Sequence, residues 1–185
     1  HMKRQLFWFL LVVTGSSVLF SLLVDDDKPQ LMAVETELQP DFIASQLIRT
    51  SFDASGNMSG MIRAIQMSHF EQLGQIQLEE PAFTIFEQQM PKWQVSSSNG
   101  VLYPDDKVVL EQNVLLENLK SGELFNKVES EQLEYVFDQQ IISTNQQVVI
   151  FGDGFAINGQ GVKVNLMTQK LQLQQHKGTV YRHEK

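Results

Sequence analysis

Nineteen consecutive residues without a charge, Leu6 to Val24, open the chain and restrict it more than any other feature. At about 1.5 Å of rise per residue, a helix of this length reaches roughly 28 Å, close to the hydrocarbon thickness of a bilayer. A cleaved secretory signal has a shorter apolar core followed by small residues. Here Ser21-Leu22-Leu23-Val24 runs directly into Asp25-Asp26-Asp27 with no A-x-A pattern, and there is no cysteine for lipid attachment. The segment reads as a transmembrane helix that is retained. Lys3 and Arg4 precede it and three aspartates follow, so the basic excess places the N-terminus in the cytoplasm. The expected organisation is a cytoplasmic tail over 1–5, a transmembrane helix over 6–24, a linker over 25–40 and a folded domain over 41–185 facing outward. His1, ahead of Met2, reads as a tag remnant and is set aside.

The 161 residues beyond Val24 suffice for one domain with a real core and are too few for two. All 22 acidic residues but only 12 of the 14 basic ones lie there, a formal charge of −10. Such a surface repels polyanions, which argues against nucleic acid as a partner. The absence of cysteine excludes disulfides, thiol nucleophiles and thiolate metal sites.

Past Pro40 no helical stripe is persuasive. Short apolar runs are punctuated by Gln, Ser, Thr and Asn, with breaks expected at Asp53-Ala54-Ser55-Gly56-Asn57, Glu80-Pro81, Met90-Pro91, Asn99-Gly100 and Pro104-Asp105-Asp106. Apolar residues alternate in Trp93/Val95, Val108/Leu110, Val114/Leu116, Leu133/Tyr135/Phe137 and Leu171/Leu173. Period-two spacing puts each set on one strand face. The pattern predicts an all-β, antiparallel sandwich or partly open barrel. Its apolar face either packs a dry core or, where the sandwich opens, forms a groove for a lipid chain.

Catalytic chemistry finds no foothold. His69, His176 and His183 are not at metal-ligand spacing, and Ser96-Ser97-Ser98 lacks a nucleophile elbow. Asp105-Asp106 and Glu79-Glu80 are adjacent, so on a strand their side chains diverge. Gly152-Asp153-Gly154 has no following helix to hold a phosphate and reads as a turn or bulge. The chain is expected not to be an enzyme and to carry no cofactor or metal.

Three blocks after the apolar segment carry a resemblance: SFDASGNMSGMIRA (Ser51 to Ala64), LEEPAFTIFEQQMPKWQVSS (Leu78 to Ser97) and VVIFGDGFAINGQGVKV (Val148 to Val164). Their order resembles the lipopolysaccharide transport protein C family, LptC, with Pro81, Phe86, Pro91 and Trp93 at the family's Q-P, Phe and P-x-W landmarks. Glu80 replaces the family's Gln, and the chain departs from the family's length around Gly159-Gln160-Gly161. The resemblance implies a periplasmic β-jellyroll held at the inner membrane by one N-terminal helix. It implies a non-enzymatic carrier that accepts lipopolysaccharide from the LptB/LptF/LptG ABC transporter and passes it to LptA.

A carrier of this kind must hide acyl chains, each buried methylene contributing about 0.8 kcal/mol. The inward-parity candidates for lipid contact are Leu47, Ile62, Leu78, Phe86, Trp93, Val95, Leu110, Leu116, Tyr135, Leu171 and Tyr181. By motif, Leu47, Leu78, Leu171 and Tyr181 match best where family members touch lipid, with Ile48 and Phe52 forming a competing parity beside Leu47. Sheet edges invite strand pairing, and the resemblance places the LptA contact on Leu166 to Tyr181, with Leu171, Leu173 and Tyr181 as contacts. Thr14, Ser17 and Ser21 share a helical face suited to close packing against the transporter's helices. Two rivals stand beside this: a membrane-anchored scaffold that binds only protein, and a glycan hydrolase needing two inward carboxylates across a cleft.

Overall fold

The computed structural model describes residues 38–120 and 125–182. The expected tail, transmembrane helix and linker as far as residue 37, with Thr14, Ser17 and Ser21, lie outside them. No helix among the described residues is long and apolar enough to cross a membrane.

The alternating runs become eleven strands: β1 (Phe42–Phe52), β2 (Met58–Phe70), β3 (Gln75–Glu79), β4 (Ala82–Glu87), β5 (Met90–Ser96), β6 (Asn99–Tyr103), β7 (Lys107–Asn118), β8 (Lys127–Val136), β9 (Ile141–Gly152), β10 (Phe155–Asn165) and β11 (Lys170–Tyr181). All pair antiparallel in one continuous hydrogen-bonded sheet. Most joining turns use the chemistry their residues dictate. Asp53 Oδ1 accepts from the backbone N–H of Ser55 and Asn57, at 2.9 Å each, and closes the β1–β2 turn. Gly74 (φ 61°) ends a short 3₁₀ turn, Glu71–Leu73. The break expected at Met90-Pro91 falls two residues earlier, on Gln88 and Gln89 (φ 50° and 65°). Positive φ at both central residues is the geometry of the tightest hairpin turn, here without the usual glycine. Gln89 Nε2 donates to Asn57 Oδ1 at 2.7 Å, which helps to hold that conformation.

Long strands fold this sheet into two layers. The first part of β7 (Lys107 to Glu111) pairs with β6, and its second part (Leu115 to Asn118) pairs with β5. Likewise β2 gives Gly60 to Arg63 to β4, and Gln66 to Phe70 to β3. Pairing therefore closes a ring through β7, β5, β4, β2, β3 and β6. β4 and β8 are not ladder neighbours, yet Phe83 meets Tyr135 and Phe137 at centroid distances of 6.4 and 5.7 Å. That contact can only cross the interior, which makes the fold an antiparallel jellyroll-type sandwich.

Each crossing strand breaks its ladder at the bend. Register shifts fall between Glu111 and Val114, Ser130 and Glu134, and Gln160 and Val162. Left-handed backbone occurs there at Gln112, Asn113 and Gly161 (φ 64°, 52° and 75°), and at Gln46 in β1 (φ 55°). Bulges of this kind bend a strand and leave polar groups unpaired. Side-chain amides occupy the gap: Asn99 Nδ2 donates to Gln112 Oε1 at 3.0 Å, Asn113 Nδ2 to Ser98 Oγ at 3.1 Å, and Gln132 Nε2 to Glu111 Oε1 at 3.1 Å. The chain's scattered Gln and Asn thus have a structural use. Among the described residues the ends of the sheet stay open, because β1 pairs there only with β2 and β11 only with β10.

The final strand pair is close-fitting at one point and roomy at another. A Cβ on Gly159 would lie 2.5 Å from the Leu173 side chain and 2.7 Å from the backbone oxygen of Gln175, whereas one on Gly178 meets nothing within 4 Å. Gly159→Ala is expected to destabilise the protein by about 1–3 kcal/mol through overpacking. Gly178→Ala should change stability by no more than about 0.5 kcal/mol. Urea unfolding of both variants checks this; equal losses would mean that β10 and β11 are not paired in this register.

Candidate functional site

The space between the two layers is the candidate site, and its middle is filled. Val95, Val108, Leu110, Val114, Leu116, Val128, Leu133, Ile142 and Val162 are all but inaccessible, and Trp93 stacks at 5.4 Å on Phe125. Interiors packed like this leave few voids. Toward the two ends the packing loosens into cavities.

The first cavity, about 510 Å³, lies at the β1–β2–β4 end under the β6–β7 and β8–β9 turns. Its wall is apolar, from Ile62, Phe83, Ile85, Leu102, Tyr135 and Phe137, and its rim carries Arg49, Asp106 and Asp138. The second, about 460 Å³, lies at the β10–β11 end, lined chiefly by Phe125, Ile150, Phe155, Ile157, Leu171 and Leu173. Both fall within the roughly 300–1,000 Å³ range of ligand sites. A third hollow, of about 570 Å³, lies along the bend, where Val114, Leu115, Val148 and Val149 line it together with Asn113, Glu129, Ser130, Gln147 and Lys177.

The predicted residues divide among these places. Ile62 and Tyr135 line the first cavity, and Leu171 and Leu173 the second. Trp93, Val95, Leu110 and Leu116 stand in the packed middle, with Leu78 buried in the same cluster. Leu47, opposite Ala64, packs against that cluster from β1, while Ile48 faces outward and is 64% exposed. Phe86 is half-buried and outside the cluster, where the β4–β5 register shifts. Tyr181, paired with Phe155, stands 71% exposed at the end of β11. Sequence reading passed over Phe83 and Ile85, although the alternation in Ala82-Phe83-Thr84-Ile85 points both inward.

The buried indole N–H of Trp93 has no hydrogen-bond partner among the described residues. Burial pushes the Tyr135 phenol up to about 12, so it stays protonated and able to donate. Near the β4–β5 turn, Lys92 is buried with its ammonium 2.8 Å from Glu87 and 5.9 Å from the Trp93 ring. The described residues contain no group of His, Asp and Glu that could hold a metal ion.

A protein family described as lipopolysaccharide-assembly, LptC-related, matches residues 9–182. The chain belongs to that LptC-related family. It is a component of lipopolysaccharide transport, and its sandwich is the periplasmic part of such a component. Curated proteins yield no match. Among solved structures, the chain is similar to LptH, the LptA-homologous periplasmic component of the lipopolysaccharide transport device from Pseudomonas aeruginosa. The TM-score is 0.48 at 13% identity, covering 69% of this chain and 82% of that one.

The hydrogen bond from Lys92 is the main cause holding the Glu87 carboxyl below the ordinary 4.5. A carboxylate with a depressed folded-state pKa adds stability that is present above its unfolded pKa and lost as pH falls through the folded value. In the LptC-related chain, acid titration of stability should therefore decline below about pH 4.5 less steeply in Glu87→Gln than in wild type. Unfolding midpoints measured across that range check it; identical slopes would remove the pair from the acid response.

Proposed function

We propose that this chain is a membrane-anchored, non-enzymatic carrier that takes lipopolysaccharide from the LptB/LptF/LptG transporter and passes it to LptA. The observation that carries this reading is the pair of apolar cavities, one at each end of the sandwich, each beside a free sheet edge. A chain that only scaffolds proteins needs no apolar space open at its ends, and a hydrolase needs facing carboxylates.

In this reading the edge at β1 meets the transporter. Phe42, Ile43, Ile48 and Phe52 leave it exposed and apolar, which suits strand pairing with covered side chains. The edge at β11 meets LptA, with Leu171, Leu173 and Tyr181 at the contact. Residues 6–24 form the inner-membrane anchor, with the N-terminus in the cytoplasm and Thr14, Ser17 and Ser21 against the transporter's helices. The domain from residue 41 onward is periplasmic. Chains enter at the first cavity and leave at the second, so the packed middle must open between them.

Site-specific photocrosslinking in cells tests the reading, with probes at Ile62 and Leu171 and an outward-facing control at Gln94. Lipopolysaccharide adducts are expected at the first two positions and not at the control. Protein adducts alone at Ile62 and Leu171 would contradict the carrier and favour a scaffold.

A further inference from the structure

Charge is spread unevenly along the sandwich. Residues 41–153 hold 16 acidic against 6 basic side chains, whereas Gly154 to Arg182 holds Lys163, Lys170, Lys177 and Arg182 and no acid. That second stretch is the β10–β11 hairpin. Ion pairs among the described residues fall on His69, Lys92, Lys107 and Lys127. None falls on the four cations of the hairpin, which are all exposed. In a domain with an excess of acid, such a group is open to an anion from outside.

The placement of these cations ties that anion to the second cavity. Lys170, at the start of β11, lines the cavity, and Lys163, opposite Gln172, is its diagonal neighbour across the ladder. Diagonal neighbours share a face and lie roughly 7–8 Å apart. Arg182 stands just past the other end of β11, where its backbone N–H donates to the Gly154 carbonyl at 2.8 Å. The cavity draws its lining from both ends, with Leu171 beside Lys170 and with Phe155, which pairs with Tyr181, beside Arg182. Asp153, the acid nearest Arg182 in sequence, accepts instead from Asn126 Nδ2 at 3.0 Å. Lys177 shares the third hollow with Glu129 and Glu131, which offset its charge. The rim of the first cavity has the opposite sign, because Asp106 and Asp138 outnumber Arg49.

We propose that the β10–β11 end of the sandwich recognises phosphate on the head of the transported lipid, with Lys170 and Arg182 as its contacts and Lys163 strengthening the field. The inference rests on the carrier reading: an apolar cavity flanked by cations fits a molecule that is apolar at one end and anionic at the other. An acidic protein strand would match the charge and leave the cavity unused. Ammonium and guanidinium groups bind phosphate oxygens through charge-assisted hydrogen bonds. The two rims then act in opposite senses, the first repelling a phosphate and the second attracting it, so the head is drawn toward β11. Exposed charge pairs are screened by salt, and the recognition weakens accordingly as ionic strength rises.

The test uses the full chain in amphipol, with N-phenyl-1-naphthylamine displaced by decyl phosphate or by its uncharged dimethyl ester. At low salt wild type should bind decyl phosphate about five- to tenfold more tightly, the range of two exposed charge pairs, and at about 0.5 M salt the two should bind nearly alike. Lys170→Gln/Arg182→Gln should abolish the preference while leaving affinity for the ester and the unfolding midpoint unchanged. Arg63→Gln/Lys120→Gln, an equal change of net charge away from the hairpin, should keep it. Equal binding of the two ligands by wild type would overturn the inference and leave the carrier reading standing. A preference that survives in Lys170→Gln/Arg182→Gln, or that is lost equally in Arg63→Gln/Lys120→Gln, would also overturn it. Inorganic phosphate competing as well as decyl phosphate would reduce the site to one for a free anion, and poly-L-glutamate competing better would assign the hairpin to an acidic protein; either overturns the lipid head as its ligand. Failure of both decyl compounds to displace the probe would overturn the inference and the carrier reading together.

Discussion

A strand that leaves one layer of a sandwich for the other must break its ladder where it crosses, and the architecture turns on how this chain tolerates that. Five consecutive strands, β7 to β11, run through the bend, so every crossing exposes backbone groups at the same line. Residues with positive φ make the turn possible at Gln112, Asn113 and Gly161, and amide side chains take up part of the lost bonding. Regular strands would give one extended sheet with two wet faces. Bent strands enclose one.

The enclosed face explains why the interior is neither a plain core nor an open trough. Near the bend the layers are close, and residues such as Val95, Leu116 and Leu133 pack completely. Toward the ends the layers part, and aromatic side chains such as Phe83 and Phe155 line space instead of filling it. Each methylene placed in such space recovers about 0.8 kcal/mol of hydrophobic free energy. Stable packing in the middle secures the fold, while looser packing at the ends leaves room for a cargo. A protein that must bind a lipid and then release it gains from this division, because no single deep site traps the chain.

Much of the fold was legible because strand parity is a local property. Trp93/Val95, Val108/Leu110, Leu133/Tyr135 and Leu171/Leu173 all turn the same way in the structure as their alternation implies. The bends were not legible. Glutamine and asparagine at Gln112-Asn113 resemble any polar break, and only the ladder partners on either side reveal a strand continuing into a second layer. The hairpin at Gln88-Gln89 was displaced for a related reason: its conformation is held by Asn57, thirty-two residues earlier. Within the site, parity identified which residues face inward but not which meet a filled middle and which meet a cavity. That distinction depends on how far apart the layers stand, a non-local quantity. It is why Leu110 and Ile62 looked equivalent in sequence and differ in the structure.

The central claim is that apolar chains occupy the ends of the sandwich and not its outer faces. Anomalous diffraction from crystals of the full chain bound to lipopolysaccharide with bromine at its acyl termini tests this most directly. Bromine peaks are expected among Ile62, Phe83 and Phe137 or among Phe155, Ile157 and Leu171. Peaks confined to the outer surface of the sheet would contradict the account.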